Sequence, residues 1–141
     1  MNKSGPIVII DDDADDREIL EEIFSHLHLR NDIRFFESAD TALQYLQQPS
    51  VQPFLLLSDI NMPGMDGFQL RSLILGDELL KHKCIPYIFF TTGATLQTVQ
   101  LAYEQSVQGI FAKPPGYDKW TELIRNMVTY WQDCIAPNRW G

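Results

Sequence analysis

Four apolar runs in this 141-residue chain each end in a side chain able to do chemistry. Ile7-Val8-Ile9-Ile10 leads into Asp11-Asp12-Asp13, and Phe54-Leu55-Leu56-Leu57 into Ser58-Asp59. Tyr87-Ile88-Phe89-Phe90 ends in Thr91-Thr92-Gly93, and Ile110-Phe111-Ala112 in Lys113-Pro114. Runs of this kind, with no polar residue alternating, read as buried strands. Residues at their ends sit at the sheet rim, where ligands bind in α/β folds. Acids, a hydroxyl and an ammonium on one rim are the inventory for a divalent cation beside a phosphoryl group.

Each of these residues also has a plainer role. One acid before a helix would satisfy the helix dipole. Three in succession repel one another, and a cluster that dense calls for a cation. Magnesium fits best, because it takes oxygen ligands and one or two carboxylates while keeping several waters. Asp59 is by type a turn former, but Pro63, Gly64 and Gly67 already supply the turn, and Asp66 is placed to cap the following helix. Two acids sharing a site need a metal to remain ionised together. Thr91 and Thr92 could cap a helix and Lys113 could face solvent. At two neighbouring strand ends, a hydroxyl and an ammonium suit an anion held beside the metal. Asp15, Asp16, Glu18, Glu21 and Glu22 read as a solvated helical face. His26, His28 and His82 have no metal spacing, and there is no glycine-rich phosphate loop.

The elements that must position these residues alternate along the chain. Ile19, Leu20, Ile23, Phe24 and Leu27 recur at helical spacing after the first strand. Ile33 to Phe36 is a second strand. Ala39, Ala42, Leu43 and Leu46 mark a helix stopped by Pro49. After the Phe54–Ser58 strand, one helix should run from near Gly67 to before Pro86, with Leu70, Leu73 and Ile74 inward. Leu96, Val99, Ala102 and Tyr103 form the next helical face. Trp120, Leu123, Ile124, Met127, Val128 and Trp131 form the last, with Asp118 as its N-cap. Five β-α units predict a parallel sheet with helices on both faces. The tail from residue 134 lies beyond the last helix, where Trp140 could dock.

The bulk composition excludes several classes. There are 11 Lys and Arg against 19 Asp and Glu, a net charge of −8, which repels nucleic-acid backbones. No apolar run has the length to cross a bilayer, and no signal peptide precedes the first strand. The expected location is the cytoplasm. Cys84 and Cys134 are expected as free, buried thiols.

In Ile10-Asp11-Asp12, Ser58-Asp59, Met62-Pro63-Gly64-Met65-Asp66-Gly67, Phe90-Thr91 and Lys113-Pro114 the chain closely resembles the receiver domain of bacterial two-component response regulators. The resemblance covers residues 6 to 133, so the expectation is a single receiver domain over 1–141 with a tail at 134–141. It implies a flavodoxin-like α/β fold, a (βα)5 sandwich with strand order 2-1-3-4-5. It also implies that Asp59 is the phosphoacceptor, and that Asp11, Asp12, Asp59 and the Asn61 backbone carbonyl hold Mg²⁺. Thr91 corresponds to the switch hydroxyl and Lys113 to the lysine on a phosphoryl oxygen, with Lys113-Pro114 a cis peptide. The implied phosphodonor is a sensor histidine kinase or a phosphotransfer protein. The implied output is binding to another protein by a monomer or weak dimer, with no catalytic turnover beyond self-phosphorylation and autodephosphorylation.

Two positions depart from the family pattern. Ile110 stands where the fifth strand usually carries Tyr or Phe, with Phe111 turned to the opposite face, and Pro115 follows the Lys-Pro pair where Phe is frequent. The competing reading is a magnesium-dependent phosphatase of haloacid-dehalogenase type, using Asp11, Asp13, Thr91 and a lysine. It leaves Asp59 and the 62–67 loop unexplained.

Overall fold

A computed structural model describes residues 1–137; the expected docking of Trp140 lies outside the described residues. Five strands, β1 (Ile7–Ile10), β2 (Ile33–Phe36), β3 (Leu55–Ser58), β4 (Tyr87–Thr91) and β5 (Gly109–Ala112), pair in parallel in the order β2-β1-β3-β4-β5. The flavodoxin-like expectation is met in strand order and direction. Six helices connect and cover the strands: α1 (Ala14–Leu27), α2 (Ala39–Leu46), α3 (Gly67–Gly76), α4 (Glu78–His82), α5 (Leu96–Glu104) and α6 (Tyr117–Asp133).

The period-2 geometry of the strands divides the core in two. Ile7, Ile9, Leu55, Leu57, Ile88 and Phe90 face α1 and α6, meeting Leu20, Ile23, Phe24, Trp120, Ile124, Met127 and Val128. Val8, Ile10, Leu56, Tyr87 and Phe89 face the other way, onto Ala39, Ala42, Leu46, Leu70, Ile74 and Ala102. With both faces covered, the central strands need no polar alternation, which is why they read as unbroken apolar runs.

The sequence expectations need correction at several elements. The single helix predicted after β3 is two, α3 and α4. Asp77 between them is extended (φ −105°, ψ 116°), and its side chain accepts a hydrogen bond from the Leu80 amide at 3.1 Å. A glycine followed by a good N-cap ends one helix and starts another. Leu73, expected inward, is exposed, because the buried stripe of α3 runs through Gly67, Leu70, Arg71 and Ile74. On α5 only Ala102 is buried; Leu96 and Tyr103 are 84% and 73% exposed. The N-cap of α6 is Gly116, in the left-handed region at φ 95°, and Asp118 lies in the first turn, where its charge still favours the helix N-terminus. Cys84 and Cys134 are free, but Cys84 is exposed and Cys134 half-buried. Both lie just past helix ends, Cys84 at a left-handed φ of 50° and Cys134 as the extended C-cap of α6.

A buried lysine closes the far end of the sheet. Lys83 Nζ donates to the carbonyls of Leu46, Gln48 and Val51, the last two at 2.9 and 2.8 Å. These are carbonyls at and beyond the C-terminus of α2, which have no intrahelical donor. Lys83→Met keeps the apolar stem but leaves the buried Leu46 and Val51 carbonyls without their ammonium, while the Gln48 carbonyl keeps the Val51 amide. It should lower the unfolding free energy by about 2–3 kcal/mol, read as a lower midpoint in urea at unchanged slope.

Candidate functional site

Strand register brings the chemistry to one edge. Ile10 pairs with Ser58, and the ladder runs one residue further: the Asp59 amide donates to the Ile10 carbonyl at 2.9 Å. Asp11 is held in the same way on its other side, its amide donating to the Phe36 carbonyl at 3.0 Å. Thr91 pairs with Ala112, and the Lys113 amide donates to the Thr91 carbonyl at 2.8 Å. All four residues thus leave their strands with fixed backbones. Gly67 is needed beside them, because a Cβ there would lie 2.5 Å from the Asp59 carbonyl oxygen and 2.7 Å from the Phe89 ring.

Asp59 is 8% exposed. Its Oδ1 accepts from the Ile60 amide and from Thr91 Oγ1, both at 2.7 Å, and its Oδ2 accepts from Lys113 Nζ at 3.1 Å. Lys113 Nζ also donates to Asp11 Oδ2 and to Asp16 Oδ2, each at 2.7 Å. Burial works against the Lys113 charge. The hydrogen bonds to Asp11 and Asp16 and the charges of Asp11 and Asp59 outweigh it, so its pKa lies above the ordinary lysine value. Burial pushes the Asp11 carboxyl above its ordinary value, opposed by the Lys113 hydrogen bond and by the Asp13 amide, which donates to Oδ1 at 2.9 Å.

Of the acidic run, Asp11, Asp12 and Asp59 can bring one carboxylate oxygen each within 4.8 Å of one another. Asp13 is committed elsewhere. It is the N-cap of α1, its Oδ1 accepting from the amides of Asp15 and Asp16 at 2.9 and 3.2 Å. The first and third acids therefore do not form the free pair that the phosphatase reading requires. Three converging carboxylates, with oxygen donors only and Asp12 open to solvent, can hold a hard divalent cation. Asn61 is exposed in the loop after Asp59, and among the described residues its carbonyl accepts no hydrogen bond.

The cis peptide expected at Lys113–Pro114 is not found, and among the described residues every peptide is trans. Trans is the favoured isomer before proline as elsewhere. From it Lys113 still reaches its three carboxylates, while the Pro114 carbonyl accepts from Trp120 Nε1 at 2.6 Å. Ile110 packs into the cluster under α3 and α5, and Phe111 into the opposite cluster, as alternation required. The residue that sequence reasoning missed is Asp16, expected as part of a solvated face. Its position three after the Asp13 N-cap was the available signal, since that turn faces the strand ends.

Acids, a threonine and a lysine thus meet on the carboxyl edge of a doubly wound parallel sheet, the layout of a receiver-type α/β domain. The model of the response regulator receiver domain matches residues 7–125, and the chain belongs to that family. It is 32% identical over 136 residues to the DNA-binding transcriptional regulator NtrC of Proteus hauseri, covering 96% of this chain and 27% of that protein. The chain thus spans about a quarter of the length of that relative. It is 32% identical over 115 residues to the chemotaxis protein CheY-3 of Vibrio cholerae, covering 81% of this chain and 84% of that one. Its fold matches the phosphorylated cyanobacterial phytochrome response regulator RcpA with a TM-score of 0.85 at 20% identity, over 95% of this chain and 99% of that one.

Lys113 is the one cation within hydrogen-bond distance of three of the acids at this edge among the described residues. Removing it leaves largely buried carboxylates unpaired, so Lys113→Met should cost about 3–5 kcal/mol at neutral pH. Urea denaturation with and without a divalent cation checks this: the loss should be largest without the cation and shrink on its addition.

Proposed function

We propose that this receiver accepts a phosphoryl group on Asp59 and signals through phosphorylation-dependent protein binding. The observation that carries the reading is the convergence on Asp59 of a hydroxyl, Thr91 Oγ1, and an ammonium, Lys113 Nζ. The donor is a phosphohistidine on a sensor kinase or phosphotransfer protein. A carboxylate oxygen of Asp59 attacks phosphorus, the P–N bond breaks as the P–O bond forms, and the imidazole leaves with the electron pair and takes up a proton. Such transfer asks the protein for positioning and charge stabilisation more than for covalent help. The Ile60 amide fixes the Asp59 carboxylate. Lys113 neutralises charge on the phosphoryl oxygens, and Thr91 donates to one of them in place of its present bond to Asp59.

Asp11, Asp12, Asp59 and the Asn61 carbonyl are the residues that would hold Mg²⁺. The oxygen-only donor set and the open Asp12 side support that choice over softer metals. When bound, the cation supplies charge neutralisation between the carboxylates and the incoming phosphoryl group. Turnover is limited to loading and hydrolysis of the acyl phosphate. The added charge and acceptor oxygens favour an arrangement of the Thr91 loop in which Thr91 has left Asp59 for the phosphoryl group, and so bias the loop away from its present arrangement.

Incubation with Mg²⁺ and phosphoramidate, read by intact mass, should add one phosphoryl group to the wild type and none to Asp59→Asn. Labelling that persists in Asp59→Asn defeats the assignment. Asp12→Ala should weaken divalent-cation affinity by at least about tenfold, the scale that even outer partners of a metal site contribute. Unchanged affinity in Asp12→Ala would remove Asp12 from the ligand set.

A further inference from the structure

Lys113 has three protons to donate and three carboxylates to receive them. Asp11 and Asp59 come from strand ends, but Asp16 comes from the first turn of α1. Its side chain is 21% exposed, and its contact with Nζ, at 2.7 Å, is shorter than the 3.1 Å contact to Asp59. That turn is itself fastened to the strand edge. Asp13 caps it through two amides, and Arg17 Nη1 donates to the Asp11 carbonyl at 2.7 Å. The Asp16 carboxylate therefore cannot simply drift off, and Lys113 is drawn towards α1 with no donor to spare.

We propose that Asp16 is a positioning residue that acts through Lys113: it competes for the ammonium and restrains phosphoryl uptake at Asp59. The inference rests on the Asp59 reading above. A phosphoryl oxygen can bind Lys113 only when one of three carboxylates gives up its proton donor. Asp16 is the one of these that belongs neither to the acceptor nor to the three-acid metal cluster. It also adds a negative charge where further negative charge must arrive. Without it, one ammonium donor stands ready and the repulsion falls.

The full chain is tested in two arms, with Asp16→Asn, Asp16→Glu and, as control, Asp15→Asn. Asp15 carries the same charge one residue earlier, with no hydrogen bond to Lys113. In the first arm, without metal or phosphodonor, ¹⁵N relaxation of the Lys113 ammonium reports how firmly it is held. The ammonium should become more mobile in Asp16→Asn and stay as in wild type in Asp15→Asn. In the second, phosphoramidate labelling at saturating Mg²⁺ should run about twofold to fivefold faster in Asp16→Asn, the scale of a partly exposed ion pair. Asp16→Glu should return the rate towards wild type. An ammonium equally immobile in Asp16→Asn, a labelling rate that does not rise, or an equal rise in Asp15→Asn overturns the proposal. If wild type takes no label on Asp59, the phosphoacceptor reading fails, and the ammonium arm alone decides whether Asp16 holds Lys113.

Discussion

One ammonium among several carboxylates is the constraint on which this molecule depends. Three acids from three different parts of the chain, Asp11, Asp16 and Asp59, lie within hydrogen-bond reach of Nζ of Lys113, whose side chain is 3% exposed. Carboxylates gathered at the edge of an apolar sheet would repel one another and lose hydration. A single buried cation offsets both costs only where its geometry serves every acid at once. The parallel ladder supplies that geometry. It fixes the backbones of Asp11, Asp59 and Lys113 by one further hydrogen bond each beyond the regular strands. All three ammonium donors are engaged, and the longest of the three contacts is the one to Asp59.

From that edge the path to the surface is short. Thr91 Oγ1 links Asp59 to the loop before α5, and α5 buries only Ala102. Its two ends are held unequally. At the C-terminal end, Arg71 of α3 donates through Nε to the Gln105 carbonyl at 3.2 Å and through Nη2 to the Ser106 carbonyl at 2.9 Å. Gln105 Nε2 returns a bond to the Phe68 carbonyl at 3.1 Å. At the N-terminal end Leu96 stands in solvent, and the hydrogen bonds between the capping pair Thr95 and Thr98 are exposed. Few buried contacts and exposed hydrogen bonds mark a segment of low local stability. The Thr91 loop and the first turn of α5 can therefore rearrange while the far end stays clamped to α3.

Much of this was legible in the sequence because it follows from strong, local signals. The apolar runs ending in Asp, Asp, Thr and Lys marked the strands and the residues at their ends, and the motifs carried the family resemblance, from which the strand order came. What stayed hidden depends on tertiary context. The break between α3 and α4 turns on one Asp acting as a cap rather than as a surface acid. Leu96 and Tyr103 have core-type chemistry, but α5 meets the sheet only through Ala102. Asp16 looked like its solvated neighbours because no helical pattern reveals a lysine arriving from 97 residues away. The isomer of Lys113–Pro114 was carried by resemblance alone, and the structure does not share it.

The central claim is that the charge balance at Lys113 and Asp59 is read out through Thr91 and the start of α5, with Ile110 a packed bystander. Backbone amide shifts measured with and without a beryllofluoride phosphoryl mimic on Asp59 test it most directly. The largest shifts outside the acidic loops should fall on residues 91 to 96, with small ones at Ile110 and at the clamped residues Gln105 and Ser106. Dominant shifts at Ile110 and Phe111, over a loop at 91 to 96 that does not respond, would contradict the account.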